Sequence, residues 1–359
     1  MKPLLTVLPL LLTLTSALPP ARRPHPPNRA APPPPPPSPP SPPALEDEDD
    51  HIAALPLLIW HGLGDSYGNP GIQEIAALAQ DVTPGTYVHT IRLGTDPSAD
   101  RESSFLGNVT EQVDTVCAQI QQDRILSTAP ALNALGFSQG GQFLRGLVER
   151  CDTMPPIHNL VTFGSQHNGI IAFQQCQSLF DLVCRSAEAI LRSGRWSRFA
   201  QSKFVPAQYF RDPEELESYL QNSNFLADIN NERPVKNAQY KKNLERLNHF
   251  AMIMFEDDTV AVPKESAFFA DVYKSAKKVV PLRERDIYKE DWIGLKALDK
   301  KGGLSFEVVP GEHMQLTEEV LREKFEKYFA PVDLSKLEGQ RGAGIVVQSE
   351  IVEGGEGVL

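Results

Sequence analysis

Apolar residues along this chain gather into short runs separated by amphipathic stretches. The runs are Leu55–Trp60, Tyr87–Leu93, Ala131–Phe137, Ile157–Phe163, Phe250–Phe255 and Leu304–Val309. Short, nearly continuous apolar runs are the pattern of strands covered on both faces, as in a parallel sheet. Between them, Asn108–Gln122 carries Val109, Val113, Val116 and Ile120 at helical spacing. Gln139–Arg150 and Thr317–Phe329 also read as helices. Strand alternating with helix predicts an α/β fold with a mainly parallel central sheet flanked by helices. Residues 170–247 break the rhythm; mostly helical in pattern and polar, they read as an insertion above the sheet. No repeat is present.

The ends differ from this core. Met1–Ala17 has Lys2, an apolar run from Leu4 to Leu14, and small residues at Thr15, Ser16 and Ala17. That is the layout of a secretory signal peptide, with cleavage expected near Ala17. Residues 18–50 read as a disordered linker. Residues 19–43 hold 15 of the chain's 31 prolines, and Glu46–Asp50 is wholly acidic. Such a segment favours extended polyproline II and buries nothing. Residues 338–359 are Gly-rich and lack helical periodicity, so they read as a loose tail. The catalytic-sized core is therefore 51–337. No 18-residue apolar run follows the N-terminus, so no transmembrane span is expected. A formal charge of −11 argues against nucleic acid as a partner.

The chemistry centres on Gly136-Phe137-Ser138-Gln139-Gly140, a G-x-S-x-G between a strand and a helix. In that context the glycines permit a sharp turn that lifts the serine hydroxyl above the sheet edge. The N–H of the next residue, Gln139, then faces a developing oxyanion. A second donor is expected from the loop after the first strand, His61-Gly62-Leu63-Gly64-Asp65, with Leu63 the candidate. A serine needs a base, and the base needs a carboxylate to hold its tautomer. His313 follows the last strand through Pro310-Gly311 and precedes a helix, where the base of such a fold belongs. His61 precedes the serine and reads as structural, as do His89, His158 and His249. The acid is Asp257 or Asp258, after Phe250–Phe255; the residues alone do not separate them. Cys117, Cys151, Cys176 and Cys184 form an even set behind a signal sequence, so two disulfides are expected, with three pairings open. No C-x-x-C or nearby His pair exists, so no metal is expected. Asn108-Val109-Thr110 is a glycosylation sequon that also sits at a helix start.

Together these motifs resemble the lysosomal palmitoyl-protein thioesterases, of the α/β-hydrolase fold, along nearly all of residues 55–330. The resemblance rests on HGLGDS (61–66), GFSQGGQFLR (136–145), GSQHNG (164–169), FLADINNER (225–233), YKKNL (240–244) and GEHMQL (311–316). Cytosolic acyl-protein thioesterases share the first two, so FLADINNER, EHMQL, the cysteines and the signal sequence carry the specificity. Some members have two cysteines where this chain has Tyr67 and Gly68. The resemblance implies a serine thioesterase that removes long-chain acyl groups such as palmitate from S-acylated cysteines of proteins or peptides. It implies Ser138 as nucleophile, His313 as base, and Asp258 over Asp257 as acid. The N–H groups of Leu63 and Gln139 would form the oxyanion hole, and no cofactor is needed. Cys117 pairs with Cys151, flanking the nucleophile strand and helix, and Cys176 with Cys184 as a local clip; the resemblance implies the same pairing. The destination implied is a lysosome or vacuole, with secretion as the alternative. The competing activity is a secreted lipase or carboxylesterase, which shares the same catalytic residues. The acyl groove is expected from the insertion.

Overall fold

Six strands, all parallel, form the central sheet: β1 (Leu57–Trp60), β2 (Val88–Thr90), β3 (Leu132–Phe137), β4 (Ile157–Phe163), β5 (His249–Phe255) and β6 (Leu304–Val309). Their order is β2-β1-β3-β4-β5-β6. This is a computed structural model, and it describes residues 51–172, 192 and 194–337. All of these belong to the second of two units, Glu48–Leu359. Each of the six strands coincides with an expected run, with ends trimmed or extended by up to three residues. This is the α/β-hydrolase fold, and its parallel strands deliver all their C-terminal loops to one edge.

Side chains alternate across the sheet, so each strand feeds two cores. Leu57 and Ile59 face one side, with Leu135, Val161 and Phe255; Leu58 and Trp60 face the other. The first face is covered by α1 (Pro70–Val82) and by the last helix, α5 (Glu318–Tyr328), through Ile72, Ala79, Leu321 and Phe325. The second is covered by α3 (Val109–Gln122) and α4 (Gln139–Arg150), through Val113, Ile120, Phe143 and Leu147. Helix α1 and helix α2 (Pro97–Phe105) were absent from the expected elements, although both carry a plain start signal. Asn69-Pro70 and Asp96-Pro97 each place a capping side chain before a proline, and both side chains accept the first free N–H groups.

The insertion is less polar in structure than in sequence. Its short helices include Arg198–Lys203, Val205–Gln208, Leu216–Asn222, Leu226–Ile229 and Ala238–Leu244. Phe204, Val205, Tyr209, Phe225 and Ile229 are buried and join the same core as α3 and α4. Phe225 meets the ring of Phe143 edge-on at 5.8 Å. The segment is thus a packed part of one face. Residues 173–191, with Cys176 and Cys184, lie outside the described residues, as does their expected disulfide. The other pair is formed: Cys117 and Cys151 are bonded, tying α3 to the end of α4.

Two buried charge clusters fasten the insertion and later loops to the sheet. Arg145 on α4 is fully buried. It donates to Glu149 (2.9 Å), the Ile229 carbonyl (3.1 Å), the His167 carbonyl (3.1 Å) and Asn230 (2.8 Å). The second cluster joins Arg211 and Glu232 of the insertion to Asp271 and Arg285. Asn168 sits inside it, donating to Asp271 (2.8 Å) and accepting from Arg285 (2.7 Å). Five of the resemblance motifs' residues, Arg145, His167, Asn168, Asn230 and Glu232, are therefore scaffold.

These clusters set a pH dependence. Burial pushes the Glu149 carboxyl up to about 8, against the pull of Arg145. The unfolded chain then loses this proton first as pH rises, so stability falls between about 4.5 and about 8. Burial also opposes the Glu232 charge, but Arg211 and Arg285 outweigh it and hold the carboxyl at about 2. Its stabilisation is present above the unfolded value and is lost as pH drops from about 4.5 toward 2. In urea midpoints, the Glu149 contribution is therefore expected to rise from pH 7.5 to pH 5, while buried His167, held below its ordinary value, opposes it below about 6.5. Glu149→Gln is expected to flatten that rise; an unchanged slope would reject the assignment. Separately, replacing both Cys117 and Cys151 by Ala is expected to cost about 3–4 kcal/mol in the same assay, from the 34-residue loop they close.

Candidate active site

Ser138 stands between β3 and α4 with φ 52° and ψ −124°. A non-glycine residue in that region is strained by about 1–3 kcal/mol and persists only where its surroundings impose it. Here the surroundings are close backbone contacts. A Cβ on Gly136 would overlap the Gly141 backbone, and one on Gly140 would overlap the Trp60 carbonyl oxygen. The Ser138 N–H donates to the Phe163 carbonyl of β4 at 2.8 Å. The turn therefore sits locked between β1 and β4, with the hydroxyl at the sheet edge.

His313 follows β6 and points back at this hydroxyl. Its Nε2 lies 3.0 Å from Ser138 Oγ, and its Nδ1 lies 2.7 Å from Asp258 Oδ2. Asp258 follows β5 and is buried; its other oxygen accepts the N–H groups of Val260 (2.9 Å) and Ala261 (3.0 Å). That anchoring fixes the carboxylate against the imidazole, the orienting arrangement a general base requires. Asp257, the alternative left open by its neighbours in sequence, is exposed, and its N–H is bonded to the Gly311 carbonyl (3.0 Å). Burial and loop geometry thus separate two adjacent aspartates that composition and spacing leave equivalent. His167, by contrast, bonds Thr162 (3.0 Å) and stacks on Phe269, and burial holds its ring well below the ordinary value.

The loop after β1 packs against Ser138. Gly62 is so close that a Cβ there would come within 3.2 Å of Ser138 Cβ. Leu63 lines the same cavity as Ser138 and His313, and Gln139 begins α4, where backbone N–H groups have no partner within the helix. This loop has its own hub, Asp100 of α2. One carboxylate oxygen accepts from Leu93 and Gly94, the other from Tyr67 N and His61 Nε2 (2.9 Å). His61 Nδ1 meets the Gly62 carbonyl at 3.0 Å, so both ring nitrogens face acceptors. Burial lowers the affinity of His61 for its proton, yet the bond to Asp100 and the Gly62 carbonyl outweigh it and raise the ring above its ordinary value. The imidazole is thus a loop-orienting group, as its position before the serine implies. Ser104 completes the brace: its hydroxyl accepts from Gly64 N (2.8 Å) and its carbonyl from the Gln139 side chain (3.0 Å). Asp100 and Ser104 went unmarked in the sequence; the Asp96-Pro97 cap was the available clue to their helix.

A cavity of about 850 Å³ opens at Ser138 and His313. That lies within the usual range for small-molecule sites, roughly 300–1,000 Å³. Its apolar lining comes mainly from Ile72, Ile75 and Leu78 of α1, from Met314 and Leu316 just before α5, and from Leu321 on it. Among the described residues, the insertion contributes only Ile170 and Tyr209. Among the described residues, α1 and the chain after His313 therefore supply most of the lining, and the insertion, the expected source, supplies little of it. Asn108 caps α3, accepting from Thr110 N (3.1 Å). Among the described residues no cluster of His, Cys, Asp and Glu is arranged to hold a metal, and no helix is long and apolar enough to cross a membrane.

Asp100→Asn is expected to loosen the loop after β1 and lower kcat by about 10²-fold, the scale of a misplaced oxyanion donor, with a smaller change in KM. Wild-type turnover by a folded variant would show that the loop is held without Asp100.

Comparison with known proteins agrees with this geometry. Residues 56–313 match the family model described as palmitoyl protein thioesterase. The chain is 39% identical to palmitoyl-protein thioesterase 1 of Caenorhabditis elegans over 77% of this chain and 92% of that protein. It is 31% identical to palmitoyl-protein thioesterase 3 of Dictyostelium discoideum, over 71% of this chain and 83% of that protein. It is 30% identical to the human lysosomal thioesterase PPT2, over 69% and 78%. On the extent of these matches, the chain belongs to the palmitoyl protein thioesterase family of hydrolases.

Proposed function

We propose that this enzyme hydrolyses the thioester joining a long acyl chain, palmitate first, to a cysteine of a protein or peptide. The observation that carries the reading is the hydrogen-bonded series Ser138–His313–Asp258 opening on an apolar cavity. Ser138 Oγ attacks the thioester carbonyl while His313 Nε2 takes its proton, and Asp258 holds the Nδ1–H and the charge that develops. The N–H groups of Leu63 and Gln139 receive the oxyanion. Collapse expels the cysteine sulfur, which takes the proton back from His313. Water, activated by the same imidazole, then attacks the acyl-serine and releases the fatty acid. Thiolate is a good leaving group, so protonation by His313 matters less here than in amide hydrolysis. The acyl chain lies between α1 and α5. The signal-like N-terminus, the Cys117–Cys151 bond and the lysosomal relatives support a secretory route ending in a lysosome or vacuole.

Ser138→Ala is expected to abolish cleavage of a palmitoyl-cysteine peptide, and Asp258→Asn to lower kcat about 10⁴-fold without unfolding the protein. Matched oxygen and sulfur esters decide the chemistry. Faster turnover of the oxygen ester, with little of the thioester, would replace this reading with a lipase-like one. Ile75→Trp, which fills the cavity, is expected to lower kcat/KM for palmitoyl thioester at least tenfold while sparing an acetyl thioester. Equal losses on both would place the acyl chain elsewhere.

A further inference from the structure

The insertion carries a basic and aromatic surface that the chemistry above does not use. From Ala189 to Arg211 there is no Asp or Glu, in a chain of formal charge −11, while Arg192, Arg195, Arg198, Lys203 and Arg211 all fall there. Arg195 and Arg211 are spent on Glu215 and on the buried Glu232 and Asp271. Arg198 and Lys203 are exposed and form no ion pair with any described residue. Between them stands Phe199, 66% exposed, one helical turn before Lys203. Leu106, 49% exposed, joins the same surface. Its backbone is bridged to Phe204, and the next residue, Gly107, donates to the Lys203 carbonyl (3.0 Å). Exposed Phe and Leu beside two exposed cations that pair with no described residue is the composition of a surface that lies in a membrane interface.

The placement gives this surface a purpose. Leu106 ends α2, two residues after Ser104, which braces both Gly64 and Gln139. Phe105 packs on Gly64. The helix after Lys203 leads into Tyr209, which lines the catalytic cavity. The basic patch is therefore linked along the chain to Ser104, which braces the loop after β1, and to Tyr209, which lines the cavity. S-acylated peptides partition into bilayers through their acyl chains, so an enzyme acting on them gains by sitting at that interface. We propose that Arg198, Phe199, Lys203 and Leu106 form a docking surface for anionic lipid bilayers beside the active-site mouth. The purpose rests on the thioesterase reading; the binding itself does not.

The test is cosedimentation of the full chain with phosphatidylcholine vesicles, with and without phosphatidylserine. Binding is expected only with the anionic lipid and is expected to fall in high salt. Each basic residue near such a surface contributes about fivefold. Arg198→Gln with Lys203→Gln is thus expected to weaken binding about 25-fold, and Phe199→Ser to weaken it further. Both variants should cleave a short-chain soluble thioester at the wild-type rate, which reports an intact fold. Lys203→Gln alone, at an exposed site, gives a second variant with an expected fivefold loss. Wild type that ignores anionic vesicles, or variants that bind them as wild type does, would overturn the proposal. Vesicle binding by a protein with no thioesterase activity would support the surface and reject the function.

Discussion

The arrangement depends on one strained residue held by close backbone packing. Ser138 occupies a left-handed conformation that its side chain disfavours, and nothing in the serine itself compensates. What imposes it is the absence of Cβ atoms at Gly136, Gly140 and Gly62, which lets α4 and the loop after β1 press against the turn. The same contacts that create the strain bring Leu63 and the Ser138 hydroxyl to one cavity. The parallel sheet then delivers Asp258 and His313 from its next strands to the same edge, with register fixed by continuous β4–β5–β6 pairing.

Around this edge the fold relies on buried charge. Arg145 lies on the helix that Ser138 starts, and its donors reach the loops after β4 and within the insertion. The Arg211–Glu232–Asp271–Arg285 cluster extends that tie to the segment beyond β5. Breaking such a buried pair costs far more than forming it gains. These groups therefore set which conformations the loops cannot adopt. Glu149, displaced up, favours the fold on the acid side of neutrality; Glu232, displaced down, favours it above the acid range, and the lowered His167 opposes acidification.

Much of this was legible in sequence. The four inner strands announce themselves because parallel strands covered on both faces are apolar on both. The nucleophile turn is legible because its glycines and its position between β3 and α4 are both local. Helix α1 escaped because its start lies in a Gly-rich stretch, although Asn69-Pro70 marked it and Ile72, Ile75, Ala79 and Val82 fall at helical spacing. The choice between Asp257 and Asp258 was beyond residue-level reading because it turns on which carboxylate the loop buries. The insertion looked polar because many of its polar residues, among them Arg211, Asn230 and Glu232, are buried inside charge clusters. The groove's lining, among the described residues, comes mostly from α1 and the chain around α5.

The most direct test of the account is rapid quenching of palmitoyl-peptide turnover, followed by mass spectrometry of the digested enzyme. The account predicts a burst of free cysteine and one palmitoyl group on the peptide that contains Ser138. A burst without that adduct, or an adduct on another residue, would contradict it.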